Sequence, residues 1–409
     1  MNKAGRVTRG LVFAATALSA AALAPAASAA PVPDELETDG RFAGVAVSDR
    51  AAREAVDFWT PERIARAKPL DTGFQLGAPE SSPLAKPVTF SSEPVNPLGY
   101  PNRIHGRILM QFPNALPGYY SCSGTVTTSG SGSLVTTAGH CAYDFQSKSV
   151  ATSAVFFPGL SAYGTPYGPW PVTNIILNKT WVTKKDAYDY DFAMFRVAPI
   201  FGPIQGLGSR GIGFNQPRKQ RYQEYGYPAE GRPEYDGNQL IRCDSGYLPD
   251  PGRYRGPRSI GMRCDAEGGT SGGGWVSQKS FLVSVSSHGY PTSLPGKLFG
   301  PYFGKQTKQM YKAQNLFWPS IGPIRCGGEV ASIVGTDYND TIRGTNGRDV
   351  IATVGGNDRV KGNGGSDKIC GGAGNDKIKG GDGKDKIDGG SGRDKCGRKR
   401  GKDGLHACE

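Results

Sequence analysis

The chain reads as four stretches of different hydrophobic rhythm. An unbroken, alanine-rich apolar run from Leu11 to Ala24 follows Lys3, Arg6 and Arg9 and precedes the small-residue triplet Ala27-Ser28-Ala29. A basic start, a short apolar run and a small-x-small site predict a secretory signal over residues 1–29. Residues 30–100 are polar and proline-rich, and only Asp49 to Ala67 carries a helical pattern, with Thr60 as N-cap and Pro61 in the first turn. From Arg103 to Phe317 the pattern changes to short β-branched and aromatic runs between Gly, Pro and Asn turns. Strands are expected at Ile104 to Met110, Gly124 to Thr128, Ser133 to Thr137, Ile175 to Ile176, Phe192 to Val197 and Phe281 to Val285. That spacing suits an all-β, antiparallel double β-barrel, closed by a short helix over Gly304 to Gln314. Pro319, Gly322 and Pro323 mark a linker over 319–327.

The fourth stretch, 328–409, has a period. Aspartates recur every nine residues (349 − 340 and onward): Asp340, Asp349, Asp358, Asp367, Asp376, Asp385, Asp394 and Asp403. Two places after each stands an apolar residue or cysteine: Ile342, Ile351, Val360, Ile369, Ile378, Ile387, Cys396 and Leu405. Glycines fill the turn before the acid, as in Gly371-Gly372-Ala373-Gly374-Asn375-Asp376. This pattern resembles the haemolysin-type (RTX) nonapeptide repeat. The resemblance implies a parallel β-roll whose apolar residues stack from coil to coil. It also implies calcium between turns, held by Asp358, Asp367, Asp376, Asp385 and Asp394 with loop carbonyls. Lys361, Lys368, Lys377, Lys379, Lys384, Lys386 and Lys395 crowd the same coils. They predict weakened calcium affinity and a basic face for anionic cell-wall polymers. The competing expectation is a metal-free coil clipped by Cys370, Cys396 and Cys408.

Composition narrows the setting. The formal net charge of +12 favours anionic surfaces, yet no basic-aromatic nucleic-acid motif accompanies it, so no nucleic-acid partner is expected. No segment after the signal is long and apolar enough to span a bilayer. Eight cysteines in an exported chain, without a CxxC spacing, point to disulfides rather than zinc and to a secreted, extracellular protein. Pairing in order of sequence is expected: Cys122–Cys141, Cys243–Cys264, Cys326–Cys370 and Cys396–Cys408.

The candidate chemistry centres on Thr137-Ala138-Gly139-His140-Cys141, at the end of the apolar run Ser133-Leu134-Val135-Thr136 and 19 residues after Cys122 (141 − 122) in Cys122-Ser123-Gly124-Thr125-Val126. An imidazole fixed at a strand end is well placed to act as a general base. The two segments together resemble the histidine region of chymotrypsin-like serine proteases. Asp191-Phe192-Ala193 resembles that family's D-apolar-A, which makes Asp191 the orienting acid, with Asp186 and Asp189 as loop charges. Gly268-Gly269-Thr270-Ser271-Gly272-Gly273-Gly274 then supplies Ser271 as nucleophile, with the Gly269 and Ser271 amides as oxyanion hole. The resemblance covers about residues 103–317, within a protease domain expected over 101–318, and is nearest to the secreted bacterial glutamyl-endopeptidase branch. It implies a serine endopeptidase acting on proteins or peptides. The alternative is a catalytically inactive, calcium-dependent adhesion or wall-binding protein.

The sequence departs from the family at one telling place. Thr270 stands where an acid usually precedes the nucleophile. Activation by a new N-terminal amine pairing with that acid is therefore ruled out, and residues 30–100 are expected to serve as a propeptide that aids folding or covers the site. For specificity the resemblance points two ways. Asp265, six residues before Ser271 (271 − 265), would select Lys or Arg, whereas His288 would receive an acidic side chain. His105 and His406 are expected to be surface residues.

Overall fold

The computed structural model describes residues 37–38, 40–70, 90–113, 118–184, 186–198, 202–230, 232–251, 258–278, 280–290, 294–317, 323–397 and 403–409. The signal expected over 1–29 lies outside the described residues.

Six strands close into a barrel. Trp170–Asn178, Thr152–Pro158, His105–Gln111, Tyr120–Thr127, Leu134–Thr137 and Ala193–Val197 pair in that order, all antiparallel, and the last pairs back with the first. Their inward residues are fully buried, among them Ile108, Val126, Val135, Phe156 and Phe195. Alternation along each strand is what sends these side chains to one face.

A second antiparallel group is built on Arg221–Gly226, Ile241–Pro249, Ile260–Arg263, Gly274–Ser277, Phe281–Val285 and Leu294–Gly300. Among the described residues its ladder runs on rather than closing. Gly211–Gly213 pairs in parallel with Phe281–Val285 and, on its other side, antiparallel with Ile333–Val334. The repeat region thus grows directly from the edge of the second group. The helix Lys305–Phe317 follows the last strand, as expected from the sequence.

The described parts of the segment before residue 100 pack onto these sheets. Phe42–Ala46 adds a strand beside Trp170–Asn178, and Phe90–Pro94 adds one beside Ile241–Pro249. The helical pattern over 49–67 forms two helices, Asp49–Phe58 and Pro61–Arg66. Ser48 caps the first through Ala51 N (3.2 Å), and Thr60 caps the second with Pro61 behind it. Trp59, at the break between them, is buried and donates its Nε1–H to Ser153 O (2.7 Å).

Beyond residue 332 the chain winds as a parallel solenoid of about four turns. One coil takes two nonapeptides, so strands pair at a step of 18 residues (369 − 351). Ile351, Ile369, Ile387 and Leu405 stack in one column, and Ile342, Val360, Ile378 and Cys396 in the other. The four disulfides join the expected partners, and Cys326–Cys370 ties the roll to the chain that enters it.

Ile378 is completely buried between Val360 and Cys396. Truncation there should cost about 2–5 kcal/mol through lost transfer energy and a residual cavity. In Ile378→Ala, hydrogen exchange is expected to quicken in Arg359–Gly364 and Lys395–Gly397 while the six-strand barrel keeps its wild-type protection.

Candidate active site and repeat region

Asp191 ends a short 3-10 turn, Tyr188–Tyr190, and has no solvent exposure. Its carboxyl accepts three hydrogen bonds: from His140 N–H on Oδ1 (2.7 Å), from His140 Nδ1 on Oδ2 (2.8 Å) and from Ser287 Oγ on Oδ2 (2.6 Å). Gly139 lets this happen, because a Cβ there would sit 2.9 Å from Trp181 Cδ1 and 3.0 Å from Asp191 Oδ1. With Nδ1 committed to Asp191, the imidazole presents Nε2, which is buried and has no hydrogen-bond partner among the described residues. The structure therefore brings His140 and Asp191 together in the orientation a general base requires.

Ser271 lies on a turn pinned from both sides. Ser123 N–H donates to Ser271 O (2.7 Å) and Ser123 Oγ to Gly269 O (2.8 Å). Gly272 N–H donates to Ser286 O (2.7 Å), and Gly273 N–H turns back to Thr270 O (2.8 Å). Gly269 and Gly272 both have positive φ, +96° and +81°. The N–H groups of Gly269 and Ser271 donate to nothing among the described residues. Two unspent amides beside the serine are what an oxyanion hole needs.

Ser123, Ser287 and Trp181 were not singled out from the sequence. Ser287 had a signal in Ser286-Ser287-His288-Gly289, since a second serine beside the histidine can donate to the buried acid. Trp181 packs against His140, with ring centroids 6.4 Å apart. Nothing local in the sequence marked it.

The two specificity candidates sit apart in chemistry. Asp265 accepts from Arg232 Nε (2.6 Å) and from Tyr235 OH (3.3 Å), so its charge is met internally. His288 is buried between Tyr188 (4.4 Å) and Phe299 (5.7 Å), with Nδ1 on Ser287 Oγ (3.1 Å). Burial pushes its pKa down to about 4, against the opposite pull of Asp250 and Asp191. A neutral imidazole offers no cation to an acidic side chain. His105, expected at the surface, is instead buried, stacked on Tyr225 (4.3 Å) and bonded to Thr125 Oγ1 (2.9 Å). Its position opening a barrel strand explains the difference.

In the roll six of the eight repeat aspartates spend one oxygen on the coil before them. Oδ1 of Asp358, Asp367, Asp376, Asp385, Asp394 and Asp403 accepts the backbone N–H of the residue 18 places earlier. Oδ2 of the same six is buried and, among the described residues, meets no donor within hydrogen-bond geometry. The first two repeats differ. Oδ2 of Asp340 and Asp349 accepts from the backbone N–H and hydroxyl of Thr336 and Thr345. At Val354, Asn363, Gly372, Gly381 and Gly390 the equivalent position has positive φ and supplies no such donor. Burial pushes Asp358 up to about 7 and Asp367 and Asp376 up to about 6. Stacked, buried carboxyl oxygens without donors fit a hard cation such as calcium. Asp403 joins the five residues expected from the sequence.

The comparisons with known proteins agree with this division. Residues 334–369 and 361–396 match the family model described as RTX calcium-binding nonapeptide repeat (4 copies). Over about half its length the chain resembles solved protease structures. Protease Anisep from Arthrobacter nicotinovorans is 28% identical, with 54% of this chain and 97% of that one covered and a TM-score of 0.47. The thermostable serine protease AL20 from an extremophilic microorganism is 31% identical, with 51% and 95% covered and a TM-score of 0.46. A Glu endopeptidase is 18% identical, with 54% and 94% covered and a TM-score of 0.41. None of the curated proteins matches the chain significantly.

Calcium bound in the roll would neutralise the aspartate column and tie each coil to the next. Chelation of the full-length protein, with disulfides intact, is therefore expected to reduce its far-ultraviolet β-signal, and millimolar-range calcium to restore it. Asp376→Asn should raise the calcium concentration needed. An identical spectrum in chelator and calcium would contradict the assignment.

Proposed function

We propose, for a chain that resembles trypsin-like serine proteases over about half its length and ends in RTX calcium-binding repeats, that it is a secreted serine endopeptidase with a calcium-binding tail. The observation that carries this reading is the triple hydrogen bonding of buried Asp191, which leaves His140 Nε2 as the one free ring nitrogen. In the proposed reaction Ser271 Oγ attacks the scissile carbonyl while His140 Nε2 takes its proton. The oxyanion is received by the Gly269 and Ser271 amides. The His140 imidazolium then gives the proton to the departing amine, leaving an acyl-enzyme. Water, deprotonated by the same nitrogen, releases the acid and regenerates Ser271. An oxyanion donor of this kind is worth roughly 10²–10³ in rate.

The substrate class is protein or peptide. Asp265, held by Arg232, and His288, neutral and buried, present no free charge to a substrate side chain, so neither selectivity expected from them is proposed.

Residues 30–100 are read as a propeptide that covers the site rather than one that switches it chemically. Leu70 N–H donates to Ser121 O (2.9 Å), two residues from the Ser123 that holds the nucleophile turn. A Cβ on Gly268, at the start of that turn, would come within 3.2 Å of Pro69.

The tail is proposed to hold anionic cell-wall polymer. Parallel pairing sets Arg359, Lys377 and Lys395 in one register and Arg343, Lys361 and Lys379 in another, all exposed on one sheet. Like charges facing each other across strands cost stability unless an anion lies over them.

Covalent labelling by a fluorophosphonate probe tests the enzymatic reading and separates it from an inactive adhesion protein. Wild type is expected to label and to cleave peptides, and Ser271→Ala and His140→Ala to lose both while remaining folded. The turnover loss should be on the order of 10⁴–10⁶. Near-normal cleavage by purified Ser271→Ala would refute the assignment.

A further inference from the structure

Beneath the turn that carries Ser271 lies an acid that the mechanism does not use. Glu224 is in the strand Arg221–Gly226, opposite Cys243 on one side and Trp275 on the other, and has no solvent exposure. One carboxyl oxygen, Oε1, accepts the hydroxyl of Thr270 (2.5 Å) and the hydroxyl of Ser286 (3.1 Å). Ser286 Oγ in turn accepts Trp275 Nε1–H (3.0 Å). The other oxygen, Oε2, lies 3.8 Å from Cys264 Sγ, which is bonded to Cys243.

The space around this carboxyl has been cleared by glycines. A Cβ on Gly273 would stand 2.5 Å from Oε1, and one on Gly226 2.7 Å from it. Both residues bonded to Oε1 also hold the nucleophile turn through the backbone. Thr270 O accepts Gly273 N–H, and Ser286 O accepts Gly272 N–H (2.7 Å) while Ser286 N–H returns to Gly273 O (2.8 Å). Glu224 therefore clamps the two segments between which residues 271–273 are suspended.

We infer that Glu224 is a positioning residue for the nucleophile: it fixes Thr270 and Ser286 so that Ser271 Oγ and the Gly269 and Ser271 amides are held in reacting geometry. The inference rests on Ser271 being the nucleophile. Thr270 is the residue immediately before it, so an error in the Thr270 side chain is passed to Ser271 through one peptide unit.

The surroundings favour the uncharged acid. The groups facing Glu224 are the Thr270 and Ser286 hydroxyls, the Trp275 indole and the Cys243–Cys264 disulfide, and none carries charge. Burial pushes its pKa up to about 8, against the smaller, opposite effect of the two hydroxyl bonds. The folded value lies above the ordinary 4.5, so the folded state binds the extra proton between about 4.5 and 8. Stability from this group is present at low pH and is lost as pH rises through that window. Glutamine keeps the accepting oxygen and cannot ionise.

The test is steady-state kinetics across pH on Thr270→Val, Glu224→Gln and Glu224→Leu, with fluorophosphonate labelling of each and hydrogen exchange at residues 269–273. Thr270→Val is nearly isosteric and removes only the donor to Glu224. It is expected to lower kcat by about 10–100-fold, the scale of a misplacement of about 1 Å, with KM changed less than about threefold. Its turn amides should exchange faster. Glu224→Gln is expected to keep kcat within about threefold and to lack the loss of activity that wild type shows as pH passes about 8. Glu224→Leu should match Thr270→Val if it folds. Wild-type kcat and turn protection in Thr270→Val would overturn the proposal, as would the same alkaline profile in wild type and Glu224→Gln. A wild-type protein that neither labels nor cleaves would overturn the enzymatic reading, and the positioning role with it.

Discussion

A carboxyl group sealed from water must be met by donors, and Asp191 is met by three. Two come from His140, at the turn after the barrel strand Leu134–Thr137, and the third from Ser287, just after the second-group strand Phe281–Val285. Hydrogen bonds to a carboxylate are typically worth about 1.5–3 kcal/mol each, and losing a partner leaves a buried oxygen unpaired. The His140 ring is therefore oriented only when the two sheet systems are docked. Ser123 repeats the logic for the Ser271 turn: it belongs to the first barrel, yet it fixes the Gly269 and Ser271 carbonyls. Site and inter-sheet packing are one structure.

The roll shows the opposite state of the same constraint. Six aspartates bury an oxygen that no donor among the described residues meets, whereas Asp340 and Asp349 are satisfied by threonines. The change follows the backbone, because the position that carries Thr336 and Thr345 becomes left-handed in later repeats. The unmet oxygens of the later coils suit a hard cation, whereas Oδ2 of Asp340 and Asp349 is met by protein donors. Those first coils are also where the roll joins the sheet, through Ile333–Val334 and Gly211–Gly213. The junction is thus built beside the two aspartates whose Oδ2 the protein itself satisfies.

Much of this was legible in the sequence for a physical reason. His140, Asp191 and Ser271 stand in local patterns that backbone geometry imposes, and the roll repeats its own contacts every nine residues. Strands with clear β-branched runs, such as Phe281–Val285, were found with their ends in place. Others were not. Arg221–Gly226 and Ile241–Pro249 mix charges with tyrosine and cysteine, since one face of each is outward or edges a polar cluster. Glu224 reads there as any solvated strand residue, and its burial depends on Thr270 and Ser286, 46 and 62 positions away. The strands before residue 100 were also invisible, because Phe42–Ala46 and Phe90–Pro94 gain their pairing from sheet edges far along the chain. His105 was misplaced for the same reason. Its stacking partner, Tyr225, is brought to it only by the docked halves.

The central claim is that Asp191 holds His140 in the tautomer and orientation of a base. Asp191→Asn tests it most directly, because the amide keeps the shape and reverses what Nδ1 can do. The account predicts a fall in kcat of about 10⁴ at neutral pH, with the protein folded and the Cys122–Cys141 bond intact. Turnover within about tenfold of wild type would contradict it.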